Sequence, residues 1–483
     1  MSILVIDVGT SSVRAAIVHP DATIAIEKRQ PLLPDTPMPG LVEFDAARMA
    51  QVALATARSV LAEHGPVESV GISNQRASTI VWDRATGEPV GPGQGWQDLR
   101  TLGDCLVLQG SGLRFAPNQS ATKIRNLLDL ADPERERDLC VGTVDSWIAW
   151  HLTEGAAHLT DPTNAGLTGL FSIVTQDWDP DLLAALAIPA ASMPRIVDSS
   201  GDLATATALP GAPVLRGIAG DQQASLLGQG CVRPGQAKIT FGTGGMLDLV
   251  RGTDAPATAA RAPHGTFPIV AWRRGTTTLW GAEAIMLSAG TNIEWLRDDL
   301  GIIDDAASSH TVAQQCDHTD GVVYVPALLG LGTPRWDYGA RGTLLGLTRG
   351  SARPHIVRAV LEGVAHRGAD LVDATEADAG RRIESIRIDG GMSANPTFVQ
   401  ALADAIDRPV EVSPVLEATA LGAAFLAGLA DGTWKDDADI AATWRPTTVV
   451  EPSGRVTTTS RERWAEAVSR AASWYPELSD FDF

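Results

Sequence analysis

The chain is poor in the residues that build disulfide frameworks, membrane spans and nucleic-acid surfaces. Its 483 residues include only four cysteines, Cys105, Cys140, Cys231 and Cys316. They stand far apart with no C-x-x-C pair, which argues against a disulfide framework or a cysteine metal site and fits a reducing compartment. No apolar run approaches the roughly 20 residues that span a bilayer. The first residues enter an apolar run at once, Ile3-Leu4-Val5-Ile6, with no basic leader ahead of it, so a cytoplasmic protein is expected. Basic residues are in deficit: Lys and Arg total 38 against 58 for Asp and Glu, a formal net charge of −20. Neither nucleic acid nor an anionic membrane is therefore expected as a partner. Two nucleotide-binding motifs are missing as well. There is no G-x-x-x-x-G-K-[ST] loop, which excludes a P-loop NTPase, and no G-x-G-x-x-G after a strand, which removes most support for a dinucleotide enzyme.

What is present is ordinary for a globular chain, with 44% hydrophobic and 20% charged residues. The length exceeds what one core usually serves, so two domains are expected, 1–228 and 229–483, with the boundary near Gly217–Gly230. Residues 3–18 read as two β-branched runs around the turn Asp7-Val8-Gly9-Thr10-Ser11. Residues 238–250 repeat the plan around Gly242-Thr243-Gly244-Gly245, which suggests two duplicated halves, each giving a glycine and hydroxyl loop to a shared cleft. Helices are expected at Ala46–Glu63, Ala121–Leu130, Leu182–Leu186, Glu283–Leu300, Pro354–Thr375, Asn395–Ile406 and Ala418–Ala430. Strands are expected at Val67–Ile72, Thr79–Trp82, Pro213–Ile218, Gly321–Val325 and Ile383–Ile388. This alternation predicts an α/β fold. Gly252–Gly265 and the tail after Trp434 carry the weakest signals for ordered structure.

Three constellations could carry chemistry. In Asp7-Val8-Gly9-Thr10-Ser11-Ser12 with Arg14, glycine allows a phosphate to approach the backbone, hydroxyls and amides donate to it, and Asp7 could hold a magnesium ion through water. Taken alone, the segment is better read as a polar hairpin turn. In Gly220-Asp221-Gln222-Gln223, Asp221 stands just past a strand, where a carboxylate can take the proton of an attacking hydroxyl. It also suits a helix N-cap, and the two roles are compatible. In Asp389-Gly390-Gly391-Met392-Ser393-Ala394-Asn395-Pro396, a glycine pair at a strand-to-helix turn suits close approach of a nucleotide, or a plain turn.

Together these segments resemble the FGGY carbohydrate kinases, and among them the glycerol kinases, in order along nearly the whole chain. The match includes Gly71–Arg76, Gly95–Thr101, Ser120–Ile124, Asp145-Ser146-Trp147, Asp161–Ala165, Gly217–Ala224, Gly342–Glu362 and Thr419–Ala424. The resemblance implies two ribonuclease-H-like domains of the actin/Hsp70/sugar kinase superfamily flanking a catalytic cleft. It implies ATP and Mg²⁺, a small polyol or sugar as substrate, and a homodimer or homotetramer. It casts Asp221 as catalytic base and Asp7 as the residue that organises Mg²⁺. Thr10, Ser11, Ser12, Arg14, Gly242, Thr243, Gly244, Gly290, Gly390, Gly391 and Asn395 then fall to the nucleotide, together with Glu294, which stands where glycerol kinases usually have Gln. Arg76, Trp96, Asp221 and Gln222 match the polyol pocket. Three other pocket positions depart: Ala77 stands in place of Glu, Asn118 in place of Tyr, and Met246 in place of Phe. A substrate longer than glycerol, such as a four- or five-carbon polyol or a ketose, follows as the expectation, with glycerol itself and xylulose-type substrates as alternatives. A nucleotide-driven binding module of the actin or Hsp70 kind has no reason to carry Arg76, Trp96, Asp221 and Gln222. The scattered histidines, His355 and His366 among them, lack metal-ligand spacing, and most of the 13 tryptophans are expected in packing.

Overall fold

The computed structural model describes residues 1–415, 418–454 and 459–481. Two mixed sheets organise them. The first runs in the order Ile24–Pro31, Ser12–Val18, Ile3–Val8, Ser69–Asn74, Val214–Gly220, Ser200–Thr205. Ile3–Val8 is antiparallel to Ser12–Val18 and parallel to Ser69–Asn74, which is in turn parallel to Val214–Gly220. Such central strands are covered on both faces, which is why Ile3-Leu4-Val5-Ile6 is continuously apolar rather than alternating.

The second sheet repeats this pattern. Thr277–Met286, Gly245–Gly252 and Ala237–Phe241 are antiparallel neighbours, and Ile386–Asp389 and Val410–Val412 follow in parallel. Edge strands Phe267–Arg274 and Thr448–Val450 complete it. Three antiparallel strands followed by two parallel ones, occurring twice, is the duplication that the two hairpins suggested.

Two helices lie between the sheets. Asp221–Gly228 continues from the last parallel strand of the first sheet but turns toward the second, where Ser225 donates to Asp389 Oδ2 at 3.2 Å. Ala418–Asp431 comes from the second half of the chain yet packs on the first sheet, where Ser69 donates to Asp431 at 2.5 Å and Ser200 donates to the Leu426 carbonyl at 2.7 Å. The helices touch backbone to backbone. A Cβ on Gly228 would lie 1.8 Å from the Ala418 carbonyl oxygen, and one on Gly422 would lie 1.8 Å from that of Ala224. The buried residues between the sheets, Ile3, Val5, Ala219, Leu226, Ala423 and Phe425 among them, form a core of their own beside the cores of the two halves.

The expected helices appear where local signals and packing agree. Ala46–His64 is capped by Asp45, which accepts from the Arg48 amide at 2.9 Å, and ends at Gly65 with φ 99°. Glu283–Leu300 is a correction. Its first residues belong to the strand Thr277–Met286, and only Thr291–Glu294 and the wider turn Trp295–Asp299 are helical. Ala and Glu favour a helix locally, but pairing with Gly245–Gly252 on one side and Phe267–Arg274 on the other outweighs that preference. The tail after Trp434 is a second correction. It forms helices Asp437–Thr443 and Arg461–Ala471, the latter docked by Trp464 stacking on His366 and by Arg461 pairing with Asp370 at 2.6 Å. Of Gly252–Gly265, Gly252 ends the strand Gly245–Gly252, and 253–265 has no helix or strand. Among the described residues, no helix is long and apolar enough to cross a membrane.

Because the clash at Gly422 is with backbone, Gly422→Ala is expected to lower the unfolding free energy by at least about 1–3 kcal/mol. Gly103→Ala, in a helix with nothing within 4 Å of the added carbon, should be neutral or mildly stabilising. Denaturant unfolding of both variants checks this.

Candidate functional site

Several of the predicted site residues meet between the two sheets: Asp221 contacts Arg76, Arg76 contacts Met246, and Asp7 feels the charges of Arg14 and Asp221. The turn after Ile3–Val8 is closed by the Gly9 amide donating to the Ser12 carbonyl at 3.0 Å. Asp7, at the strand end, accepts from Thr419 at 3.2 Å and lies 3.8 Å from Arg14, which also pairs with Glu27 at 3.1 Å. Burial pushes the Asp7 carboxyl up, Arg14 pulls against it, and the negative charge of Asp221 adds to the push. Ser11 is exposed, whereas the Ser12 hydroxyl accepts from Arg29 at 2.9 Å, which engages it on the sheet.

Across the cleft, the loop Gly242-Thr243-Gly244 packs against Ala289 and Gly290, whose amides donate to the Thr243 and Gly242 carbonyls, each at 2.8 Å. Gly390 has φ 86°, and a Cβ there would lie 2.4 Å from the Phe241 carbonyl oxygen, so this turn also packs on the glycine loop. Gly391 has open space around its Cα. Asn395 caps the helix Pro396–Ile406 by accepting from the Phe398 amide at 3.1 Å, and its own amide donates to Ser309 at 2.8 Å. Glu294 ends its short helix and is exposed.

The polyol-pocket candidates form a tighter cluster. Asp221 is the first residue of its helix, and its Oδ1 accepts from the Gln222 amide at 2.8 Å. It thus serves its own helix start while its side chain, 28% exposed, meets Arg76 at 3.4 Å. Burial raises the Asp221 pKa, with Arg76 opposing. Arg76 also pairs with Glu283 at 2.6 Å, donates to Gln223 at 3.3 Å, and points a third nitrogen at the Met246 sulfur at 3.8 Å. Burial works against the Arg76 cation, yet the charges of Glu283, Asp221 and Asp248 raise its pKa. Trp96 donates its indole N–H to Thr10 at 3.1 Å, linking the pocket wall to the first phosphate-loop candidate. Ala77 is buried with φ 60°, and Asn118 is exposed on the turn before Ala121–Ala131.

Comparison with known proteins decides the family. Models of the FGGY family of carbohydrate kinases match twice, the N-terminal domain over residues 2–228 and the C-terminal domain over residues 237–430. The chain belongs to this family. The glycerol kinase of Rhodopirellula baltica is 41% identical, aligned over 100% of the chain and 93% of its own length. That of Dechloromonas aromatica is 42% identical over 98% of both. The crystal structure of Plasmodium falciparum glycerol kinase with ADP superposes with a TM-score of 0.88 at 27% identity, covering 100% of the chain and 99% of that structure. The protein is an ATP-dependent sugar or polyol kinase with the two-domain fold of the actin/Hsp70/sugar kinase superfamily.

Four charged residues of this FGGY kinase escape sequence reasoning. Glu283 lies in the segment whose composition predicts a helix, and Lys238 and Asp248 carry no signal beyond that of strand residues. In the sheet the three stand opposite one another on adjacent strands, Lys238 against Asp248 and Asp248 against Glu283. Burial, against the pull of Arg76, raises the Glu283 pKa to about 7. The fourth is Lys123, buried with its ammonium donating to the carbonyls of Pro117 at 2.7 Å, Gln119 at 3.2 Å and Trp96 at 3.4 Å. It ties the tryptophan wall to the turn that carries Asn118. A signal was available: the chain has only four lysines, so two of them inside apolar segments stand out.

Burial lowers the Lys123 pKa to about 7 from an ordinary value of 10.5. Between those values the unfolded chain holds the proton that the folded chain has released, so stability rises with pH across the window. The stability deficit of Lys123→Met relative to wild type is therefore expected to widen between about pH 7 and pH 10, as measured by urea unfolding at both ends.

Proposed function

We propose that this kinase transfers the γ-phosphoryl group of ATP to a terminal hydroxyl of a polyol longer than glycerol, with four or five carbons. The observation that carries the reading is Ala77. It follows Arg76 where the glycerol kinase pattern has Glu, and its carbonyl is held by the hydroxyls of Thr79 and Ser120, each at 3.1 Å. The backbone is thus pinned while the side chain ends in a methyl. A buried site that bonds hydroxyls discriminates strongly against a missing partner, so loss of that carboxylate weakens glycerol binding by about 1–3 kcal/mol. Met246 is unbranched where an aromatic ring is the pattern, and Asn118 adds donor and acceptor capacity. Both changes suit a longer chain of hydroxyls.

In this reading Arg76 and Gln222 orient the substrate, Trp96 forms its apolar wall, and Asp221 takes the proton of the attacking hydroxyl. Its burial-raised pKa brings it closer to a useful base strength. Amides and hydroxyls of Thr10, Ser11, Gly242, Thr243 and Gly244 donate to phosphate oxygens in this reading, and the open space at Gly391 suits the nucleotide. Among the described residues no three His, Cys, Asp or Glu side chains cluster as a metal cage. Asp7, a buried carboxylate with the charge of Asp221 nearby, fits Mg²⁺ held mainly by phosphate oxygens and water, where the ion would neutralise phosphate charge. Positioning and electrostatics carry most of the rate in such transfers.

Glycerol itself is the second reading, favoured by 41–42% identity to glycerol kinases along the whole chain. A coupled ADP-release assay across glycerol, erythritol, xylitol and xylulose separates the two. The expected order places a four- or five-carbon substrate first in kcat/KM, and a clear preference for glycerol overturns the proposal. Asp221→Asn should bind substrate nearly normally while kcat falls about 10²–10⁴-fold. Near-normal turnover in that variant would remove Asp221 from the role of base.

A further inference from the structure

Beneath the candidate pocket, Lys238 and Asp248 face each other across adjacent strands and pair at 2.8 Å, both side chains fully buried. Lys238 makes two more contacts, to Thr240 Oγ1 at 2.9 Å and to Gln222 Oε1 at 2.6 Å. Two ammonium protons are thus donated, to Thr240 and Gln222, beside the ion pair with Asp248. The contact with Gln222 has a chemical consequence. An ammonium can only donate, so the amide must turn its oxygen toward Lys238. Its nitrogen, with two N–H donors, is then the end turned away from Lys238. The reverse orientation would set an NH₂ group against a buried cation.

We infer that Lys238, held in place by Asp248, is a positioning residue that locks Gln222 as a pure hydrogen-bond donor to the substrate. The inference rests on the proposed role of Gln222 in holding a substrate hydroxyl. A hydroxyl that accepts from Gln222 keeps its own proton for a different acceptor, and the carboxylate of Asp221 is the adjoining one along the chain. The lock thereby dictates which way the hydroxyl proton points as well as where the oxygen sits. The bland alternative is a buried ion pair that serves only the second sheet, since such pairs are often replaceable by apolar residues without loss of stability.

The two readings part in a double-mutant cycle. Lys238→Met/Asp248→Leu removes the two opposite charges together and keeps the net charge, although Lys238 also faces the carboxylates of Asp221 and Asp389. Its kcat/KM for the best polyol is expected to fall at least 10-fold, mainly through KM, while KM for ATP stays within 2-fold. In a Gln222→Ala background the same pair of changes should alter kcat/KM by less than 2-fold, because the residue through which it acts is gone. Multiplicative losses in the two backgrounds, or wild-type kcat/KM in the charge-free variant beside an impaired Gln222→Ala enzyme, overturn the inference alone. Wild-type kcat/KM in Gln222→Ala overturns it together with the role of Gln222. Should the charge-free variant fail to fold, Gln222→Glu still decides. It keeps the contact to Lys238 and the shape but presents no donor, so kcat/KM is expected to drop as far as in Gln222→Ala with no loss in Tm, and a Gln222→Glu enzyme of wild-type kcat/KM refutes the lock.

Discussion

The close crossing of two helices between the sheets governs the rest of the molecule. Asp221–Gly228 and Ala418–Asp431 come within backbone contact because Gly228 and Gly422 have no side chains. Each helix belongs by chain order to one half and packs on the other, so the two sheets are bound through a shared core rather than a linker. The site inherits its geometry from that crossing. One helix begins with Asp221, and the other begins near Thr419, whose hydroxyl reaches Asp7. Two carboxylates of the first half, 214 positions apart in the sequence (221 less 7), are thus brought close, one of them bonded by a hydroxyl from the second half.

Electrostatics gives the site its second constraint. Arg76, from the first half, is gripped by Glu283 from the second, so a substrate-holding candidate is itself an ion pair across the cleft. Removing Arg76 would leave Glu283 a buried carboxylate without its cation, which is far costlier than the pair is beneficial, whereas Arg76 without Glu283 still meets Asp221. The row Lys238, Asp248 and Glu283 runs directly beneath, on three neighbouring strands. A site of this kind holds its hydrogen-bonding groups in preset orientations, which suits a reaction whose catalysis is mostly positioning.

Much of this was legible in the chain. Apolar β-branched runs around Asp7–Ser11 and Gly242–Gly245 marked both hairpins, because a strand turning through small residues has a local signature. Ordered family motifs bring Asp7, Arg76, Trp96, Asp221 and the glycine turns to attention, and the structure joins Arg76 to Asp221 and Trp96 to Thr10. The misreadings have a common origin. The segment from Glu283 has helical residues but lies between two strands that pair with it, and the tail beyond Trp434 is ordered by Trp464 and Arg461 docking on a distant helix. Neither contact leaves a local trace.

The sequence by itself determined the family, the α/β duplication, and the residue types available for phosphoryl transfer, since these depend on short motifs and on hydrophobic period. The tertiary structure alone decided that Lys238, Asp248 and Glu283 form one row, that Lys123 binds the tryptophan wall, and that Lys238 turns the amide of Gln222. Those relations follow from strand register and long-range packing. Both bring together residues far apart in the chain, and no local propensity encodes them.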